Sequence, residues 1–487
     1  MRIPLDHQSR VPLYKQIESH LRLSIQSGSL PVNTRLPSTR QLADELGVSR
    51  ITVKNAYDTL ASEGLIASQE GSGSYVSPPF EPAALQRENE NTKWPLWQQA
   101  LALEAGHEGR PHSAPARPPR NLPVISFSGV GDPDHYPIQD IYKALQTVIR
   151  RDAIAAFEYG ELQQGYYPLR ETITQLLASQ SIQARPENIL ITSGSQQALA
   201  LVCQTLLKTG DTILVENPTY NLALELFRGF GLQMVTIPVD ALGMQVELLE
   251  GLIERYHPRL IYTIPNFQNP TGMSMSGARR RLLISLADRY NIPILEDDFV
   301  GDLRYDGRVQ PALKTLDPGG RVIYISTFSK MLMPGLRIGF LIANGPLLPV
   351  LIQHKRINDL TTSPLIQRAV HEYVTIGRYQ THLRRSCRTY RKRRDAMLDA
   401  IQKYLSNEVR VNFPQGGLFV WLQLPETVSV LRLKELAAEE GVEFAAGTHF
   451  FANPADGEHF LRLNYATQTP ENIVEGIRRL GRALFVI

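Results

Sequence analysis

One lysine in this chain stands where a reactive amine would be useful. Lys330 lies in Ser326-Thr327-Phe328-Ser329-Lys330, just beyond a strand-like run, flanked by hydroxyls and followed by Gly335-Leu336-Arg337. A lysine amine in such a loop can condense with a carbonyl carbon. Three acids, Glu296-Asp297-Asp298, end another apolar run. Burying them is costly unless one is paired, and a cationic ring nitrogen is such a partner. Thr192-Ser193-Gly194-Ser195-Gln196-Gln197 follows a strand and opens a helix. Backbone amides and small hydroxyls at a helix start make a phosphate site. Taken singly these features read as a surface lysine, a solvated acidic cluster and an ordinary capped helix. Taken together they suit one ligand, a pyridine aldehyde carrying a phosphate, which needs an amine, a carboxylate and an anion cup. Tyr220, in Glu216-Asn217-Pro218-Thr219-Tyr220, offers an aromatic face for the ring, and Asn269, in Asn269-Pro270-Thr271-Gly272, a donor for its hydroxyl.

The elements that must position these residues follow from the apolar runs. Asn188–Thr192, Thr212–Glu216, Gln233–Val239, Leu260–Ile264, Ile292–Glu296, Val322–Ser326 and Ile338–Ala343 are short, β-branched and apolar. Helix-length segments such as Gln196–Leu207 and Ala278–Tyr290 separate them. That alternation predicts an α/β fold with a mostly parallel sheet covered on both faces. Ligands in such sheets bind beyond the carboxyl ends of the strands, where the polar motifs sit.

The first 77 residues read differently. Ser38 is placed to cap a helix, with Gln41 completing a capping box. Leu42 and Leu46 share a face, Gly47 is the expected left-handed turn, and Ser49 caps a second helix carrying Ile51, Val53, Tyr57 and Leu60. This is a helix-turn-helix. Ser49, Arg50 and Thr52 place donors at the start of the second helix, where a recognition helix meets bases and phosphates, and Lys54 lies one turn on. Tyr57 and Leu60 read as core. Ile66–Val76 reads as two short strands around a glycine-rich turn, a wing.

Residues 78–123 hold nine prolines and read as a linker, with one amphipathic island at Trp94–Ala105. The expected domains are therefore 1–77, a linker 78–123, and 124–487. The 487 residues are 43% apolar and 20% charged, which excludes wholesale disorder. Cys203 and Cys387 cannot build a disulfide framework or a four-cysteine zinc site; no metal is expected, and a reducing cytoplasm is. There is no signal-like start and no apolar run of membrane-span length. A net charge of +3 neither demands nor excludes nucleic acid.

Two resemblances extend this reading. Leu36-Pro37-Ser38-x-Arg40, Leu46-Gly47-Val48-Ser49-Arg50-x-Thr52-Val53, Ala56-Tyr57-x-x-Leu60 and Glu63-Gly64 resemble the winged helix of GntR-type bacterial regulators. The resemblance implies DNA contacts from Arg40, Ser49, Arg50, Thr52 and the wing at Gly71–Gly73. Gly165-Tyr166-x-Pro168-Leu169-Arg170, Ser193-Gly194-x-Gln196, Asn269-Pro270-Thr271-Gly272, Asp297 and Ser329-Lys330-x-x-x-Pro334-Gly335-x-Arg337-x-Gly339 resemble the fold-type I aminotransferases. That match implies pyridoxal 5′-phosphate bonded to Lys330, with Asp297 on the pyridinium and Ser195, Gln196, Thr327, Ser329 and Arg337 on the phosphate. It also implies a small C-terminal α+β subdomain and a substrate-carboxylate clamp at Arg462, in Leu461-Arg462-Leu463-Asn464-Tyr465-Ala466. An arginine–carboxylate fork suits that role.

Two positions depart from the pattern. Relatives with this acidic run usually carry a tyrosine two residues after the aspartate, and Phe299 stands here. Asn269 would then be the principal donor to the ring oxygen. Regulators that sense γ-aminobutyrate carry an arginine after the stacking tyrosine, whereas Asn221 and Leu222 stand here, arguing against that ligand.

The order of modules resembles the MocR (GabR-like) subfamily of transcription regulators. The resemblance implies a head-to-tail homodimer on double-stranded operator DNA, each DNA-binding domain over the partner's large domain. An amine or amino-acid effector would displace Lys330 and form an external aldimine, and the two states would differ in DNA affinity. The domain is then expected to sense rather than to turn over, with residual transamination left open. Alternatives are a sensor of pyridoxal phosphate itself controlling vitamin B6 genes, or a working aminotransferase with an accessory DNA-binding domain. The basic run Arg378–Arg394, eight Lys/Arg and no acid, reads as a solvated helix or a second DNA-facing surface.

Overall fold

A computed structural model describes residues 3–7, 9, 11–69, 73–77, 95, 123–129, 131–159 and 163–486. The chain divides into two compact units, Met1–Ser113 and Ala114–Ile487. The Trp94–Ala105 island, apart from Pro95, and the wing glycine Gly71 lie outside the described residues.

The first unit contains α1 (Leu13–Gln26), α2 (Thr39–Leu46), α3 (Arg50–Ser62) and the antiparallel pair β1 (Ile66–Gln69) and β2 (Gly73–Val76). The caps fall where expected. Ser38 accepts from the Gln41 amide at 3.1 Å, Ser49 from the Thr52 amide at 3.1 Å, and Gly47 takes φ 64°. The capping box is only half built, because the Gln41 side chain reaches forward to Glu45 (3.1 Å) instead of back. Ile17, Leu21, Leu42, Val53, Ala56, Tyr57 and Leu60 share one core. Ile51 does not join it and is 70% exposed. It sits two residues, about 200° of helix rotation, from Val53, and so points away from the face that Val53, Ala56, Tyr57 and Leu60 bury.

In the second unit, strands and helices alternate: β3 (Ile189–Thr192), α4 (Ser195–Leu206), β4 (Thr212–Asn217), α5 (Asn221–Gly229), β5 (Gln233–Asp240), β6 (Gly243–Met244), β7 (Leu260–Thr263), α6 (Gly277–Tyr290), β8 (Ile294–Asp297), β9 (Val322–Thr327) and β10 (Gly339–Ile342). They form one eight-stranded sheet in the order β3-β10-β9-β8-β7-β4-β5-β6. The five central strands are parallel, whereas β10 is antiparallel to both β9 and β3. β3, β7, β8 and β10 are buried at every position, which is why they read as continuous apolar runs. Beyond them come α7 (Leu347–Asp359), α8 (Arg378–Tyr404) and a four-stranded antiparallel sheet of β11 (Arg410–Val411), β12 (Phe419–Gln423), β13 (Ala445–Ala446) and β14 (Phe460–Asn464), ordered β11-β12-β14-β13. α9 (Pro470–Phe485) closes the chain. Among the described residues no helix is long and apolar enough to cross a membrane, and no cluster of His, Cys, Asp or Glu could hold a metal.

Four of the eight basic residues of the run on α8 are paired within the chain. Arg378 pairs with Asp140 (2.8 Å), Arg391 and Arg394 with Asp306 (3.0 and 2.7 Å), and Arg393 with Asp132 (2.6 Å). Arg393 and Arg394 are buried. The acids that compensate them come from distant segments, so the run is not one open cationic face. Arg384, Arg385, Arg388 and Lys392 stay exposed.

Candidate functional site

The site forms at the carboxyl ends of the parallel strands, with a contribution from the small sheet. β8 and the residue after it deliver the three acids, and period-two alternation sets Asp297 apart from Glu296 and Asp298. Glu296 accepts the amides of Leu313 and Lys314, both at 2.8 Å. Asp298 accepts from Tyr324 Oη (2.8 Å) and Asn266 Nδ2 (3.2 Å). Asp297 is held only through Oδ2, by the hydroxyl of Tyr262 on β7 at 3.0 Å, while its buried Oδ1 has no partner. Burial first, and then neighbouring Asp298, raise the Asp297 pKa to about 7 against the pull of the Tyr262 bond. A cationic N–H at Oδ1 would remove that penalty.

Lys330 lies in the connection between β9 and β10 and is half-buried. Burial, then the cations of Arg462 and Arg337, lower its pKa to about 8, and Asp297 partly opposes them. The amine is therefore unprotonated above pH 8. Trapping of the cofactor-free protein with an aldehyde should show a Lys330 rate that rises with pH and is half-maximal near 8. Arg462→Leu should move that midpoint upward. A midpoint near the ordinary value of 10.5 in both proteins would contradict this reading.

The cup lies between β3 and α4. The first-turn amides of α4 have no intrahelical partners and are free to bind an anion. Gly194 takes φ 103°, and a Cβ there would lie 2.7 Å from Arg337 Nη2. A Cβ at Gly339 would lie 3.0 Å from the Ser195 nitrogen. Both glycines thus let the backbone close up around the helix start. Arg337 is exposed and donates to the Ser193 carbonyl at 2.6 Å. Thr327 donates to the Ile338 carbonyl and accepts the Ser329 amide, both at 3.1 Å, while the buried Ser329 Oγ has no partner. Gln196 donates to the Leu222 carbonyl (3.2 Å), leaving its Oε1 buried and unpartnered.

Arg462, on β14, closes another side. Its guanidinium lies over the rings of Phe419 and Phe450, 4.1 and 4.8 Å from their centroids, and donates to Asn269 Oδ1 at 2.8 Å. Its Nε is sealed without a partner, and burial lowers its pKa to about 10. No acid of the described residues pairs with it in the salt bridges or in its electrostatic surroundings. Tyr220 is half-buried and feels the charges of Asp297, Arg462 and Arg337; burial raises its pKa to about 12. Phe299 is buried and stacks on Phe419 (centroids 6.4 Å apart, planes at 22°), so a phenol is absent there.

The structure thus brings Lys330, Asp297, Tyr220, Asn269, Arg337 and Arg462 together at one place, with the α4 start. Reading the sequence missed Tyr262, Phe419 and Phe450. Tyr262 is the alternate residue of an apolar strand and looks like core. In the first unit, Arg40, Arg50 and Lys54 are exposed. The Ser49 and Thr52 hydroxyls are 2.7 Å apart and partly occupied by capping. Arg50 Nε reaches Thr39 Oγ1 at 3.4 Å, tying the starts of α3 and α2. Gly73 opens β2 at φ 113° beside the Arg35 side chain.

Comparison with known proteins matches residues 125–480 to the aminotransferase class I and II family and residues 13–76 to the bacterial regulatory proteins of the gntR family. The 2-aminoadipate transaminase of Thermus thermophilus is 40% identical over 74% of this chain and 90% of its own. The probable rhizopine catabolism regulatory protein MocR of Rhizobium meliloti is 30% identical over 99% of this chain and 96% of its own. Among solved structures, LysN, an α-aminoadipate aminotransferase from Thermus thermophilus complexed with N-(5′-phosphopyridoxyl)-L-leucine, superposes with a TM-score of 0.72 at 36% identity, covering 80% of this chain and 98% of its own. Fold and site define the class: a GntR DNA-binding domain joined to an aminotransferase-like domain whose cofactor is pyridoxal 5′-phosphate. Within that class the chain belongs to the MocR-like transcription regulators.

Proposed function

We propose that this regulator senses a primary amine bearing a carboxylate, and that occupancy of the cofactor site sets its affinity for operator DNA. The bound cofactor supplies an aldehyde that bonds reversibly to primary amines. Lys330 is the resident amine, and its lowered pKa makes far more of it free near pH 8 than an ordinary lysine would be. Asp297 offers Oδ1 to the ring nitrogen. Tyr220 faces the ring, and Asn269 donates to its hydroxyl through the amide nitrogen that Arg462 leaves free. Ser195, Gln196, Thr327, Ser329 and Arg337 surround the phosphate. Arg462, without an acid of its own, waits for the effector's carboxylate.

One observation supports this most. Among the described residues nine buried side-chain atoms lack a hydrogen-bond partner. Five of them belong to Gln196, Thr219, Asp297, Ser329 and Arg462, all at this site. Buried polar atoms are normally satisfied, so such a cluster marks the place of a polar ligand.

In this reading residues 1–77 bind the operator, 78–123 link and 124–487 hold the cofactor, in the cytoplasm. A homodimer is part of it. Ile138, Tyr142, Ile149, Ile154, Phe157 and Tyr159 are all exposed within 22 residues, an apolar face that a second copy would cover. DNA contact falls to Arg40, Arg50, Lys54, Ser49, Thr52 and the wing glycines Gly71 and Gly73. Arg50→Ala should lower operator affinity about 10- to 100-fold and leave the cofactor's absorption unchanged. Unaltered affinity in a mobility-shift titration at fixed salt would refute the docking assigned to α3.

A further inference from the structure

A phosphate cup works only if its turn keeps its shape, and the turn here is fixed from outside. The Ser193 amide donates to Gln197 Oε1 at 2.7 Å. The other end of the same amide, Gln197 Nε2, donates to Asp359 Oδ2, also at 2.7 Å. Ser193 Oγ reaches that carboxylate oxygen at 3.4 Å and Thr362 Oγ1 at 3.3 Å. Asp359 ends α7, more than 160 residues further along the chain. Its second oxygen, Oδ1, accepts from Lys355 Nζ at 2.7 Å, and Lys355 is only 1% exposed. A buried ammonium needs a fixed counter-charge, so the pair is rigid rather than a loose surface contact. Thr362 is held in turn: its carbonyl accepts from Gln367 Nε2 at 2.6 Å, and Gln367 Oε1 accepts the Tyr166 amide at 2.7 Å.

We propose that Asp359 is the positioning residue of the phosphate cup: through Gln197 and Ser193 it holds the turn so that the amides opening α4 converge on one phosphate. The inference rests on the reading of that turn as the phosphate site. Asp359 itself touches no cofactor atom in this account. Removing it leaves Gln197 free to rotate, uncaps the Ser193 amide and lets the turn spread. Contacts to the ring and to Lys330 come from other elements and are untouched.

The test is a comparison of two aldehydes that differ only in the phosphate. Cofactor-free full-length protein is titrated with pyridoxal phosphate and with pyridoxal, following the visible absorption of the Lys330 adduct. Wild type should prefer the phosphorylated form. Asp359→Ala should lose about tenfold or more in affinity for pyridoxal phosphate and keep its affinity for pyridoxal. Because Asp359→Ala strands the buried Lys355 and can impair folding, Gln197→Leu serves as the second variant; it cuts the same link and spares the Lys355–Asp359 pair. A folded variant that keeps the wild-type preference, or that loses both ligands equally, overturns the assignment. A wild type with no preference for the phosphate takes down the cup reading as well, which separates the two failures.

Discussion

A Lys330→Ala protein is expected to bind operator DNA with wild-type affinity in the absence of cofactor, yet to lose the visible absorption of the bound cofactor and every transcriptional response to amines. The expectation follows from position rather than residue type alone. Lys330 feels the carboxylate of Asp297 and the cations of Arg337 and Arg462, and burial with those cations lowers its pKa to about 8. Among the described residues no other lysine combines half-burial with that setting. Lys314 and Lys355 are more buried, but each is committed, to the Val322 carbonyl (2.6 Å) and to Asp359 (2.7 Å). The absorption loss should be complete. A Lys330→Ala protein that still responds to an amine would remove the covalent step from the account.

The second large effect belongs to Arg462. Its guanidinium is oriented by two aromatic rings and by Asn269, and has no acid within the described chain. Losing one partner of a desolvated charged pair costs roughly 2–5 kcal/mol, or about 30- to 4,000-fold in affinity. Arg462→Leu should therefore weaken amino-acid effectors by that factor while amines lacking the carboxylate bind as before. The readout is the amine concentration that half-shifts the cofactor absorption. Equal losses for both amine classes would show that Arg462 supports the site without reading the carboxylate.

Much of this was legible in the sequence because the fold writes it locally. Fully buried strands are continuous apolar runs, and the seven expected ones lie within two residues of β3, β4, β5, β7, β8, β9 and β10. The Ser38 and Ser49 caps and the Gly47 turn are local rules, and they hold. The antiparallel direction of β10 was not legible, since periodicity carries no strand direction. Tyr262 on Asp297, Phe419 under Arg462 and the Asp359 bond to Gln197 join segments 35 to 162 residues apart, and nothing in the local pattern marks them. The ion pairs of the basic run were hidden for the same reason. Its character depends on Asp132, Asp140 and Asp306, which no window around α8 contains.

The central claim is that the state of the Lys330 site is read out as affinity for DNA. The most direct measurement is operator binding by the cofactor-loaded protein, titrated with a panel of amino acids and amines while cofactor absorption is followed in the same sample. The account predicts one class of carboxylate-bearing amine that shifts the absorption stoichiometrically and changes operator affinity over the same concentration range. An absorption shift with constant operator affinity, together with sustained 2-oxo acid production, would contradict it and make the domain an enzyme that happens to carry a DNA-binding module.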